Sequence, residues 1–353
     1  MADLPPSTLY PKITTHIPEV LKTLQKNRNR DPLHDANHLD PIPITGTVKL
    51  HGTHADILIS PPPTSTITLQ SRNNPNLLPT ADNYGFAAFM STKRTTLLHI
   101  RDQFLARWRS LNPNDELDTS IPVTIAGEWI GPGIQKHVAI ANLSKRFVII
   151  SAKINGSWVS DESYAEIEAP TDDIYNISRG GFYHSTLDPS NPQRTISELE
   201  QLAEKLAAQC PFAASFGITG EGEGLVWKLD PYASDPTLWF KTKGGRFKPT
   251  FVPPPKALPA SMEEKRRVGV ELAQAWCGEL RMEQGWDYLR EKGVSRGMRG
   301  IGEFLKWVQV DILAEEKGYI REHEVDEGML RQGIIGVAKP WFLKRVASGT
   351  DVD

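Results

Sequence analysis

Gly46-Thr47-Val48-Lys49-Leu50-His51-Gly52-Thr53-His54-Ala55-Asp56-Ile57-Leu58-Ile59 reads as a strand, a tight turn at Gly52 and a second strand, because apolar residues alternate on both sides of the glycine. Lys49 falls at the end of the first strand, beside a turn of His, Gly and Thr. A lysine there can face a cleft. Its amine is a poor nucleophile while protonated, and desolvation or neighbouring cations free the lone pair. The stretch by itself also suits a surface lysine in a hairpin, so its meaning depends on what the rest of the chain brings to it.

The chain has 353 residues, 39% hydrophobic and 24% charged, an ordinary composition for a globular protein with a core, and a length that suits two domains. The net charge of −3 excludes a globally polybasic chain, so a nucleic-acid partner requires a local basic patch. Cys210 and Cys277 form neither a disulfide framework nor a zinc spacing, which suits a reducing compartment. No apolar run approaches a membrane span, and the N-terminus lacks the apolar core of a signal peptide. Cytosol or nucleus is the expected location, with no membrane partner.

Residues 1–40 are polar and Pro-rich, with a helix expected around Ile17–Lys26 and a basic run from Lys26 to Arg30. Pro61-Pro62-Pro63 marks a loop, Ile67–Ser71 a short strand before Arg72, and Asn83–Arg109 a long helical segment with core-facing aromatics. Val123–Ile130 and Arg146–Ile154 read as strands. Glu128 sits among apolar neighbours near the end of the first, where a carboxylate is costly unless paired. It is either a salt-bridged structural residue or a functional one. Thr195–Gln209 reads as an amphipathic helix with Ser197 as N-cap. The glycines of Gly220-Glu221-Gly222-Glu223-Gly224 open a strand, Gly224–Leu229, and not a helix, so they are not a dinucleotide fingerprint. Lys228 ends that strand. In the next, Leu238–Lys243, Lys241 and Lys243 share a face, either as an exposed solubilising edge or around an anion. Residues 252–259 read as a Pro-rich linker. Beyond it, helical patterns run Met262–Leu280, Gly302–Lys317 and Glu327–Val346, a separate helical domain over 260–353.

Lys49, Arg72, Glu128, Glu223, Lys228, Lys241 and Lys243 thus come from several strands of one α+β domain. Their convergence places cations around two carboxylates. Cations hold a triphosphate and spread its transition-state charge. Carboxylates bind ribose hydroxyls or a hard divalent cation such as Mg²⁺. The chemistry indicated is nucleotidyl transfer, with Lys49 attacking an α-phosphate and pyrophosphate leaving.

These residues bear a family resemblance. Lys49-Leu50-His51-Gly52-Thr53 matches the nucleophile motif of the covalent nucleotidyltransferases, the polynucleotide ligases and capping enzymes. Ser71-Arg72, Gly127-Glu128-Trp129-Ile130-Gly131-Pro132-Gly133-Ile134-Gln135-Lys136, Glu223-Gly224-Leu225-Val226-Trp227-Lys228 and Lys241-Thr242-Lys243 resemble its later motifs in order. The ten residues from Gly127 are close to the version in the RNA ligase 2 family of phage and kinetoplastid-editing ligases. The resemblance reaches weakly into Val310–Leu313 and Lys339-Pro340-Trp341. It implies an α+β, ATP-grasp-like nucleotidyltransferase domain with mainly antiparallel sheets over 1–251 and a small all-α domain after the linker. It implies an ATP-dependent RNA ligase, using ATP and Mg²⁺, that acts on RNA ends; a monomer is expected. Lys49 would be the adenylylated nucleophile, with Leu50 beside it in the nucleotide site. Arg72 would contact phosphate, Glu128 the ribose, and Glu223 a metal. Lys241 and Lys243 would hold the α-phosphate, with Lys228 close by.

The chain departs from the family at three positions. Val48 stands where a Glu often precedes the nucleophile, and His54 where an Asn follows His-Gly-Thr. Ile150 aligns with the aromatic that stacks on adenine, with Phe147 three residues earlier as the alternative. Two other readings remain on the residues: a catalytically weakened module of the same fold that binds RNA ends, and a capping guanylyltransferase or DNA ligase. The RNA would be met by a local basic face around Lys228–Lys248 and Lys265-Arg266-Arg267.

Overall fold

The computed structural model describes residues 9–28, 40–80, 82, 84–248 and 261–349. The expected linker, 252–259, lies outside the described residues, as do Asn29, Arg30 and Asn83. The described residues divide into two units, one within Met1–Ile13 and Ile17–Phe247, the other within Thr14–His16 and Lys248–Asp353.

The first unit is α+β. Its strands are β1 (Ile42–Lys49), β2 (Thr53–Ile59), β3 (Ile67–Ser71), β4 (Val123–Ile130), β5 (Arg146–Ile154), β6 (Ser157–Trp158), β7 (Ile174–Asn176), β8 (Phe182–Leu187), β9 (Gly224–Leu229) and β10 (Phe240–Lys243). They form one sheet in the order β10-β9-β1-β8 and another in the order β3-β2-β4-β5-β6. Every pairing is antiparallel except β5 with β7. The opening hairpin therefore divides at its turn: β1 enters one sheet and β2 the other. The outer face of the second sheet is covered by α2 (Phe86–Ser91) and α3 (Arg94–Leu111), following α1 (Ile17–Arg28) in chain order. Leu97, Ile100, Phe104 and Trp108 of α3 share a core with Ile57, Ile125, Phe147 and Ile149.

Three local expectations are corrected. The helix expected over Asn83–Arg109 is two, broken at Thr92, whose hydroxyl donates to the Phe89 carbonyl at 2.8 Å, a local bond that competes with helix continuation. The helix expected from Thr195 is α4 (Pro192–Ala208), capped by Asn191 and not Ser197, since Pro192 is preset for a first helical turn. It precedes α5 (Pro211–Ala214). The strands β6, β7 and β8 carried no recognised pattern. β8 is too polar to show alternation, with Tyr183, His184, Ser185 and Thr186 in its middle.

Among the described residues from 261 on, the second unit is built of helices: α6 (Met262–Trp276), α7 (Glu279–Glu291), α8 (Ile301–Glu315), α9 (Lys317–Glu322) and α10 (Glu327–Ala347). The pattern expected over 262–280 ends earlier, at Trp276, because Cys277 leaves helical geometry and Gly278 starts α7. Trp286, Phe304, Val308, Ile334 and Phe342 form its core. No described helix is long and apolar enough to cross a membrane.

Between Ala126 and Gly127 the β4–β5 register slips, leaving Ile150 without a directly opposed residue. A bulge of this kind re-aims side chains. Gly127 is needed there: a Cβ on it would lie 2.3 Å from the Phe147 ring. Gly127→Ala is expected to lose about 1–3 kcal/mol of stability through overpacking, read from the urea midpoint. An unchanged midpoint would contradict this packing.

Candidate active site

Register brings the site together. Gly224 of β9 lies opposite Lys49 on one side and Lys243 on the other. The residue before it, Glu223, therefore enters between two lysines held by neighbouring strands. Gly224 has φ +152°, and a Cβ would meet the Thr242 carbonyl oxygen at 2.0 Å, so a glycine is required for this approach. Lys49 Nζ donates to Glu223 Oε2 at 2.7 Å. Lys243 Nζ lies 3.0 Å from Oε1, and His51 Nδ1 3.4 Å from Oε2. The Glu223 side chain is 1% exposed while both lysines are 21% exposed, so the carboxylate forms the floor and the amines face the cleft. Burial raises the Glu223 pKa, but Lys49 and then Lys243 outweigh it and hold the carboxyl well below its ordinary value.

Alternation places Thr47, Val226 and Lys241 in the next row on the same face, with Lys241 buried. One step further, Lys228 spans to the other sheet. Its Nζ donates to Ser151 at 2.9 Å and to Asp161 at 2.7 Å, and sits 4.0 Å from the Trp239 ring centroid. Burial lowers the Lys228 pKa against the pull of Asp161. Lys228 thus faces the space between the sheets and not the outer surface, which removes it from the expected basic face. Arg246 on that face pairs with Glu221, and Lys265 and Arg267 pair with acids of their own unit.

The facing sheet contributes Glu128, Ile150, His54, Asp56 and Arg72. Glu128 Oε2 is buried with no hydrogen-bond partner among the described residues. Gly52 leaves room for it, since a Cβ there would stand 3.1 Å from that oxygen. Arg72 donates to the Tyr10 carbonyl. His54 Nε2 lies 2.8 Å from Asp56 Oδ2. A carboxylate only accepts, so this nitrogen carries the hydrogen.

One candidate lies elsewhere. Phe147, offered as an alternative ring for the base, is fully buried against Phe86 on the helix-covered face, so it is not in the cleft. Leu50 is buried at 3% exposure. Val48 also points away from Lys49, close to Gly180 and Phe212, so the departure at 48 takes no group out of the cleft. Tyr10, Asp161, Trp158 and Trp239 line the site without having been singled out in the sequence. Asp56 carried a signal, an acid in an otherwise apolar strand.

Among the described residues no group of three or more His, Cys, Asp or Glu side chains is placed to hold a metal. The donor set fits a hard divalent cation held by one carboxylate, phosphate oxygens and water, the usual way Mg²⁺ is bound. Glu223 is the carboxylate nearest the lysines.

No family model matches the chain, and no curated protein matches it. Among solved structures it is similar to an RNA ligase of Naegleria gruberi with PPi, at 14% identity and TM-score 0.42 over 68% of this chain and 57% of that one. A point mutant of that ligase with ATP and Mn gives the same values. An archaeal ATP-dependent RNA ligase is 15% identical, with TM-score 0.34 over 96% of this chain and 66% of that one. The chain spans 57% of the length of the Naegleria ligase.

Burial pushes the Glu128 carboxyl up to about 8, against the pull of Lys49. It therefore carries a proton at neutral pH. An unfolded glutamate ionises near 4.5. As pH rises from about 4.5 to about 8, the unfolded chain releases a proton that the folded chain keeps, and this residue's contribution to stability falls. Glu128→Gln should gain stability relative to the wild type as pH rises from about 4.5 to about 8 in urea denaturation. A pH-independent difference would contradict the buried, protonated carboxyl.

Proposed function

We propose that the chain is an ATP-dependent RNA ligase that joins an RNA 3′-hydroxyl to a 5′-phosphate through a lysyl-AMP and an RNA-adenylate. The observation that carries this is the Glu223 carboxylate held between Lys49 and Lys243 at one register row, with Glu128 on the facing sheet. A lysine that is only solubilising a strand edge has no need of a fully buried counter-ion. The motif order from Lys49 to Lys243 supports the same reading.

In the first step the Lys49 amine attacks the α-phosphorus of ATP, a P–N bond forms, and the bond to pyrophosphate breaks. Attack needs the lone pair of the amine, and an ammonium must first give one proton to solvent, after which a remaining N–H can still donate to Glu223. Lys243 shares the register row of Lys49 across β9, and Lys241 stands one row further along β10 on the same face, where they would neutralise charge on the α-phosphate. Glu128, protonated in the free protein, is able both to donate to and to accept from ribose oxygens. Mg²⁺ would touch Glu223 and supply further charge neutralisation on the phosphates. In the second step an RNA 5′-phosphate oxygen attacks the same phosphorus and Lys49 leaves as the amine. In the third, the 3′-hydroxyl attacks the activated 5′-phosphate and AMP departs. The 1–251 region would carry this chemistry, with the helical 260–353 region engaging RNA.

The reading is tested by sealing of a nicked RNA duplex in ATP and Mg²⁺. Wild type should seal, and Lys49→Ala should not. Lys243→Ala should be slowed by about 10²–10³-fold, the usual effect of removing one charge-stabilising group. Wild-type RNA binding without sealing, unchanged by Lys49→Ala, would support instead the RNA-end-binding module, for which the His54 substitution speaks. Labelling by GTP in preference to ATP would favour a capping enzyme.

Salt gives a separate test. Lys228 is buried, and Arg246 and Arg267 are acid-paired, so these three members of the expected basic face are poorly placed to displace counterions. RNA affinity should fall with salt on a shallow slope, that of about two to four phosphate contacts. A slope several times steeper would mean a broader basic surface.

A further inference from the structure

The end of the cleft beyond Glu128 is filled by the chain itself. Tyr10, from the segment before α1, is 6% exposed. Its ring lies edge-on to Trp158 with centroids 5.3 Å apart, tilted against Trp239 at 5.4 Å, and 5.8 Å from the His54 ring in a stacked orientation. Ile150 of β5 and Val226 of β9, one from each sheet, pack against this cluster. The backbone of Tyr10 is fixed as well. Its N–H donates to Asp56 Oδ2 at 3.1 Å, and its carbonyl accepts from Arg72.

A nucleotide with its α-phosphate at Lys49 and its ribose at Glu128 has one direction left for its base, into the space bounded by Ile150 and Val226. What packs against Ile150 and Val226 there is an aromatic cluster, and one of its rings is Tyr10. At the same time the Tyr10 carbonyl occupies Arg72, which the proposed reading assigns to phosphate. One residue thus fills two positions that the nucleotide requires.

We propose that Tyr10 is a built-in occupant of the nucleobase position, and that it leaves when a purine nucleotide binds. This rests on the reading of the cleft as a nucleotide site. A pocket held closed by its own side chain binds ligand with an affinity reduced by the fraction of molecules that are open. The aromatic contacts of Tyr10 and its two backbone hydrogen bonds favour the closed form. Displacing the segment frees Arg72 in the same movement, so base and phosphate recognition become available together.

The test pairs a variant with a measurement on the unaltered protein. Tyr10→Ala should bind ATP with Mg²⁺ about tenfold more tightly than wild type, as expected when a closed form populated at about ten to one is removed. In the wild type, hydrogen exchange at the Tyr10 amide should become faster when ATP binds, as its bond to Asp56 is lost. Weaker ATP binding by Tyr10→Ala together with slower exchange would overturn the proposal, placing Tyr10 as a wall beside the base. Unchanged affinity and unchanged exchange would also overturn it, leaving Tyr10 as a core residue. Tighter binding and faster exchange with no AMP on Lys49 would sustain the displacement and strike the ligase chemistry. Failure of both proteins to bind any nucleotide would overturn both.

Discussion

A carboxylate buried to 1% exposure between two amines is the constraint on which the site depends. Removing Glu223 from water costs several kcal/mol, and only close, well-aligned partners return it. Lys49 and Lys243 do so at 2.7 and 3.0 Å. Both come from strand ends, and both strands must pair with their neighbours in the observed register, since a one-residue slip turns each lysine to the opposite face. The floor of the cleft, the order β10-β9-β1 and the glycine at 224 are therefore parts of one solution. If Glu223 were lost, two ammonium groups would stand close together without a counter-ion.

The second sheet answers the first with groups of a different kind. Lys228 joins the two through Ser151 and Asp161, while Glu128 is left with a buried oxygen that no described residue bonds. Burial there disfavours the charged form and pushes the carboxyl up to about 8, against the pull of Lys49. The cleft thus has Lys49, Lys243 and Glu223 at one end and, at the other, the Tyr10–Trp158–Trp239 aromatic cluster bordered by Asp56 and Arg72.

Much of the fold was legible in the sequence. β1, β2, β4, β5 and β9 alternate or are β-branched enough to declare themselves, and the helical tail changes composition sharply. The site was legible as a list of charged residues on strand ends, because a Lys or Glu among apolar residues demands a partner. The sequence did not reveal which partners they find. Tyr10 lies 46 residues from Asp56 and has no periodic context. Phe147 and Ile150 differ by three positions, and a bulge between Ala126 and Gly127 decides which of them faces the cleft. Lys228 belonged with an expected basic face until Asp161, a residue with no motif around it, drew it inward. Such long-range pairings are set by the register of two sheets and leave no local trace.

The most direct measurement is the intact mass of the protein after incubation with ATP and Mg²⁺, with the modified residue located by peptide mass. A gain of one AMP, found on Lys49 and missing from Lys49→Ala, is the result expected of a lysine held against Glu223 at the mouth of the cleft. No gain in mass with ATP or GTP, from folded protein freed of bound nucleotide, would contradict a covalent role for Lys49.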